Sequence, residues 1–136
     1  VDNPSEFLLL MKNLLKPEGL IYIEVPNILK PTGRFNLNLF LYNEHLQNFT
    51  SNTLDLLLKK NKLYTYAYSD KNFLKFICGI DKKKSVDVKQ TTAKQVLASL
   101  KEYKDNYSAV DYIYVYAQKL RYLARLIFYK TVDYIK

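Results

Sequence analysis

The chain of 136 residues holds one histidine, His45, with Glu44 directly before it and Tyr42 two positions earlier. An imidazole titrating near neutrality can take a proton from a hydroxyl or another activated group at physiological pH. Glu44 could orient that ring or bind acceptor hydroxyls. Neighbouring side chains of an extended segment point apart, however, so the two can also act separately. Tyr42 joins His45 if the chain bends between them. The structural alternative is that His45 braces the loop before the next helix. Asn27 follows an apolar run at the position where open α/β sheets meet their ligands, and is a second candidate for contact with an acceptor. The lone Cys78 has no base near it in sequence and reads as a buried strand cysteine rather than a nucleophile. One His and one Cys with no partner at ligand spacing make no zinc site, and no phosphate-binding loop is present.

Length bounds the chain to one domain with a modest core. It begins at Val1 rather than Met, so we expect further sequence upstream. No stretch approaches the roughly 18 apolar residues of a membrane span, and no signal peptide is visible. A single cysteine suits a reducing, cytoplasmic setting. The formal net charge is +8, unevenly spread: residues 1–80 carry nine basic and seven acidic side chains, residues 81–136 twelve and six. Such a basic tail can attract nucleic acid, anionic lipid or an acidic partner, or can be a solvated helical surface; nucleic acid is the least favoured of these.

The elements that would position the chemistry follow in order. Asn3-Pro4 is a helix start, with Asn3 as N-cap and Pro4 at the first helical position. Phe7, Leu10, Met11, Leu14 and Leu15 make one apolar stripe up to Lys16-Pro17, and Gly19 lets the chain turn. Residues 20–25 are β-branched and apolar on both faces, the pattern of an interior strand, and Pro26 stops it. Residues 27–43 form a long apolar connection, either a lid or substrate wall or a short helix on the sheet edge. Ser51 is the expected N-cap of a helix burying Leu54, Leu57 and Leu58, closed by Asn61. Residues 62–70 and 73–80 read as a β-hairpin around Asp70-Lys71-Asn72. A charged linker, 81–91, leads to two helices. Ala93, Val96, Leu97, Leu100, Tyr103 and Tyr107 share a face of the first. Ser108 caps the second, whose apolar residues from Val110 to Tyr134 alternate by three and four in a coiled-coil-like seam.

Leu14-Leu15-Lys16-Pro17-Glu18-Gly19, the strand after it, and Glu44-His45-Leu-x-x-Phe49-Thr50-x-x-Thr53-Leu54-x-x-Leu57-Leu58 together resemble the C-terminal half of class I S-adenosylmethionine-dependent methyltransferases. The second string is similar to a segment of bacterial enzymes that act on sugars, glycans and small metabolites. Asn43 departs from the Tyr-His-Glu-His run of the sugar C-methyltransferases, and Glu18 from the usual Lys-Pro-Gly-Gly. The resemblance covers residues 2–80. It implies an α/β fold: the C-terminal half of a Rossmann-like sheet, a mixed three-stranded sheet with flanking helices and with the last strand between the other two. A C-terminal helical hairpin, residues 92–136, is expected to cap the sheet or to pair with a second copy. The resemblance also implies methyl transfer to a sugar, glycan or small-metabolite acceptor. His45, Glu44 and Tyr42 would stand at the chemistry and Asn27 on the acceptor side. S-adenosylmethionine would be held mainly by a preceding half of roughly 100 residues, because glycines 19, 33 and 79 make no cofactor-binding turn here. The alternative is a non-catalytic interaction module working through the basic, tyrosine-rich helices.

Overall fold

The computed structural model describes residues 3–31, 37, 41 and 47–133, with side chains to residue 125. Helix α1 (Pro4–Asn13) begins as its sequence dictates: the Asn3 side chain accepts from the N–H groups of Ser5 and Glu6, and Pro4 opens the first turn. The helix stops at Asn13, ahead of Lys16-Pro17, with Leu14 as C-cap. Gly19 then closes a turn, its N–H donating to Lys16 O at 2.8 Å. A Cβ at Gly19 would lie 2.6 Å from a Leu15 methyl and 3.0 Å from the Lys16 carbonyl, so close approach rather than a special dihedral requires glycine there.

Strand β1 (Ile21–Pro26) crosses to β3 (Phe73–Gly79), and β2 (Tyr64–Ser69) lies on the far side of β3. The sheet order is β1-β3-β2, and both pairings are antiparallel. The expected mixed sheet is therefore corrected. With the last strand in the middle running against both neighbours, β1 and β2 are parallel to each other but never touch. As the expected order requires, β1 forms an edge of this sheet among the described residues. Pro26 is the last residue of the strand, opposite Phe73.

Helix α2 (Ser51–Lys60) is capped one residue earlier than expected. Thr50, not Ser51, is the N-cap, because its side chain accepts from the Thr53 N–H while the Thr53 hydroxyl accepts from the Thr50 N–H. At the other end Asn61 is the C-cap and Lys62 takes φ 56°. The Lys62 N–H donates to Lys59 O and the Leu63 N–H to Leu58 O, each at 3.0 Å, so the helix ends in a Schellman turn. Leu63 and Leu58, the two residues such a turn brings together, are both fully buried.

The core lies on one face of the sheet. Leu74, Phe76 and Cys78 of β3 and Ile21 of β1 meet Leu8 of α1 and Leu54 and Leu58 of α2. Asn61 ties the two helices: its carbonyl accepts from Lys12 Nζ at 3.2 Å and its amide donates to Ser5 Oγ at 3.4 Å. The apolar stripe expected on α1 divides in two. Leu8, Met11 and Leu15 face the core, while Phe7, Leu10 and Leu14 remain exposed.

Residues 81–91 are more than a tether. Val88 enters the core, the Val86 N–H donates to Thr65 O at 2.8 Å, and the hydroxyls of Tyr66 and Tyr68 accept from the N–H groups of Asp81 and Lys89. Helices α3 (Ala93–Asp105) and α4 (Ala109–Asp133) form where the sequence places them, α3 capped by Thr92 and α4 preceded by Ser108, which donates to Asp111. At the α3–α4 junction the Tyr107 and Tyr112 rings meet edge to face, with centroids 4.8 Å apart. The face of α3 is half-buried at Val96, Ser99, Leu100 and Tyr103, and Ser99 Oγ donates to Leu29 O at 2.6 Å.

A left-handed backbone costs a lysine more than a glycine, so Lys62→Gly should raise stability by about 0.5–1 kcal/mol. Thr50→Ala should lower it by about 1 kcal/mol. Urea denaturation of both variants beside the parent checks the pair.

Candidate functional site

Alternation along β1 sends Ile21, Ile23 and Val25 toward the helices and Tyr22 and Glu24 to the opposite face. On that face the Tyr22 hydroxyl donates to the Glu24 carboxylate. Lys75, the cross-strand partner of Glu24, brings Nζ within 3.8 Å of the same carboxylate oxygen. The hydrogen bond to Glu24 pushes the Tyr22 phenol above its usual range, with burial and the Glu24 charge adding to it. This trio is missed when β1 is read as apolar on both sides. The signal for it is the i, i+2 spacing of two polar side chains in a strand.

Tyr22 and Glu24 also border a groove of about 430 Å³ that runs along β1 between α1 and α2. Its walls are mainly apolar: Phe7 and Met11 of α1, Leu54 and Leu57 of α2, and Phe49, with Gln47 at the rim. At one end of the groove Phe49 bridges Asn27 in the parallel sense, and its carbonyl accepts from the Ile28 N–H at 3.1 Å. Because alternate residues of a strand direct their backbone groups to opposite edges, Tyr22 and Glu24 present theirs to the same edge as Ile28.

Asn27, the sequence candidate for acceptor contact, is 1% exposed. Its Nδ2 donates to Asp70 O and its Oδ1 accepts from the Leu29 N–H, both at 3.0 Å. The side chain thus joins the end of β1 to the β2–β3 turn. The Asp70 carbonyl also accepts from Lys30 Nζ at 2.8 Å. Tyr42, Glu44 and His45 lie outside the described residues, as does most of the 27–43 connection. Asp55 is the buried carboxylate of α2. It accepts from Thr65 Oγ1 at 2.7 Å and pairs with Lys59 at 2.7 Å, a latch from α2 to β2.

Cys78 is fully buried, and burial pushes its thiol up to about 11. A thiol so placed holds little thiolate near neutrality, which removes it from nucleophilic chemistry. Among the described residues no group of three or more His, Cys, Asp or Glu is placed to hold a metal ion, and no helix is long and apolar enough to cross a membrane. The chain matches no protein-family model, no curated protein and no solved structure.

Asn27→Ala removes the partner of the part-buried Leu29 N–H and should cost about 1–3 kcal/mol in urea denaturation. The folded protein should leave Cys78 unreacted with a thiol reagent at pH 8, and denaturant should expose it. Since the folded thiol titrates above the unfolded one, the unfolded chain releases its proton first as pH rises. Stability from Cys78 is therefore complete below the unfolded pKa, about 8.5, and is lost as pH climbs toward 11. A Cys78→Ala variant should lack that part of the alkaline decline in thermal melts.

Proposed function

We propose that this chain is the C-terminal half of a class I S-adenosylmethionine-dependent methyltransferase, acting on a sugar, glycan or small-metabolite acceptor once the preceding half is joined to it. The observation that carries the reading is the strand order β1-β3-β2, with the last strand between the other two, which is the order the resemblance implies. Three further features support it. The groove follows the free edge of β1. Phe7 of α1 lines that groove and is exposed. Phe49 already enters the edge in the parallel sense, the sense in which strands of a doubly wound sheet adjoin.

The residues present do not themselves fit S-adenosylmethionine. The described groove is mainly apolar and lacks a glycine-rich turn with facing N–H groups. Cofactor recognition is accordingly assigned to the preceding half. In this proposal His45 takes the acceptor's proton, with Glu44 and Tyr42 contacting acceptor or imidazole. Gln47, two residues on, lies at the groove rim. Asn27 serves the acceptor side by holding the loop after β1 rather than by direct contact, since both ends of its amide are occupied.

Reading the coding sequence upstream of Val1 tests this first. It should encode roughly 100 more residues with a strand, a glycine-rich turn and an acidic strand end. Calorimetry should then show S-adenosylmethionine binding to the joined chain and not to residues 1–136 alone. In that joined enzyme His45→Ala should lower kcat by about 100-fold or more while cofactor affinity holds. A joined chain that binds no cofactor, or a frame with no such segment, would leave the interaction-module reading in its place.

A further inference from the structure

Helix α4 carries apolar side chains that nothing described covers. Ile113, Tyr116, Leu120 and Leu123 recur at three- and four-residue spacing on one face and are 69%, 69%, 64% and 52% exposed. On a helix of 3.6 residues per turn, Lys119 and Arg121 stand about 100° to either side of Leu120, and Asp111 stands about half a turn away, behind the face. Both borders of the apolar face are thus basic, and the acid nearest the start of the helix is on its back.

We infer that α4 lies flat on an anionic phospholipid surface, with the Ile113–Leu123 face in the acyl boundary and Lys119 and Arg121 at the headgroup phosphates. Basic residues at the edges of an apolar face can lay their stems along it and raise their charges to the phosphate layer. Tyrosine suits the same boundary, with an apolar ring and a polar tip, and Tyr112 and Tyr116, beside and on the face, are both more than half exposed. The surrounding segment agrees in sign, since residues 81–136 carry twelve basic and six acidic side chains. Asp111, Gln118 and Arg125 stand behind the face and favour an orientation in the plane of the surface, where the helix length would be about 37 Å. Charge also disfavours a second copy as the occupant. A coiled-coil partner needs opposite charges along the two flanks, and here both flanks are positive. The inference concerns α4 alone and does not depend on the methyltransferase reading.

The test uses the whole chain with vesicles of phosphatidylcholine alone and of equal parts phosphatidylcholine and phosphatidylglycerol. The chain should sediment with the second and not the first, and added salt should release it. Ile113→Glu with Leu120→Glu should weaken binding about tenfold or more, and Lys119→Glu with Arg121→Glu by a similar factor. Both variants should melt as the parent does, because α4 contributes no described side chain to the core. The protein has no tryptophan, so Leu120→Trp gives a single reporter whose emission should shift to the blue only with the anionic vesicles. Absence of vesicle binding would overturn the inference, as would equal binding to both compositions. Emission from the Leu120→Trp variant that is already blue-shifted without lipid, in a species of doubled mass, would assign the face to a second copy instead. Binding to duplex RNA that survives Ile113→Glu with Leu120→Glu, and no vesicle binding, would assign the charge to nucleic acid.

Discussion

Strand β3 is the constraint on which the rest of the structure depends. Both sheet pairings run through it: β1 from far upstream on one side, and β2, its hairpin partner, on the other. The alternation Leu74, Phe76, Cys78 puts three fully buried side chains on one face. That face decides where α1 and α2 pack, because it carries the apolar side chains their own apolar residues meet. The hairpin supplies β3 to β2 locally, whereas the β1 pairing closes a loop of nearly fifty residues. The latches Asn27 to Asp70, Asn61 to Ser5 and Lys12, and Asp55 to Thr65 all cross between elements that the sheet first brings together.

Polar groups in this chain mostly hold its own backbone in place. Every buried side-chain nitrogen and oxygen among the described residues has a partner. Asn27, Thr50, Asp55 and Thr65 are buried and each is satisfied by a neighbouring element or cap. Tyr66 acts in the same way. Its ring lies over Gly79, where a Cβ would approach to 2.7 Å, and its hydroxyl fixes the start of the segment after β3. What is left for other contacts lies at the surface: the Tyr22–Glu24–Lys75 set, the groove along β1 and the face of α4. Among the described residues the first two adjoin one another.

Those regions share a physical character. Phe7, Leu10 and Leu14 on α1, Leu20 and Tyr22 at β1, and Ile113 to Leu123 on α4 are apolar and exposed in runs rather than singly. Contiguous exposed apolar surface marks contact with something else, and a free strand edge beside it offers backbone groups for pairing. Near β1 the open edge fits an added strand. At α4 no strand edge is present among the described residues and basic side chains border the face, which fits a charged surface.

Local chemistry determined much of what the sequence alone could say. The Asn3-Pro4 start, the Thr92 and Ser108 starts, the α2 stripe and the hairpin around residues 70–72 follow from caps, periods and turn residues acting over a few positions. The cap of α2 falls one residue from its expected place because Ser51 and Thr50 are both good caps, and only the reciprocal Thr50–Thr53 bonds choose between them. Tertiary structure decided the rest. Composition marks β1 as apolar throughout, yet which strand becomes an edge depends on pairing partners far away in sequence. Position alone makes Asn27 a ligand contact, and only the arrival of Asp70 engages its amide. A charged string hides Val88, which enters the core because the returning chain is bonded to β2 at Thr65. Periodicity can describe an apolar face on α4, but whether that face is buried depends on three-dimensional contacts that no local pattern encodes.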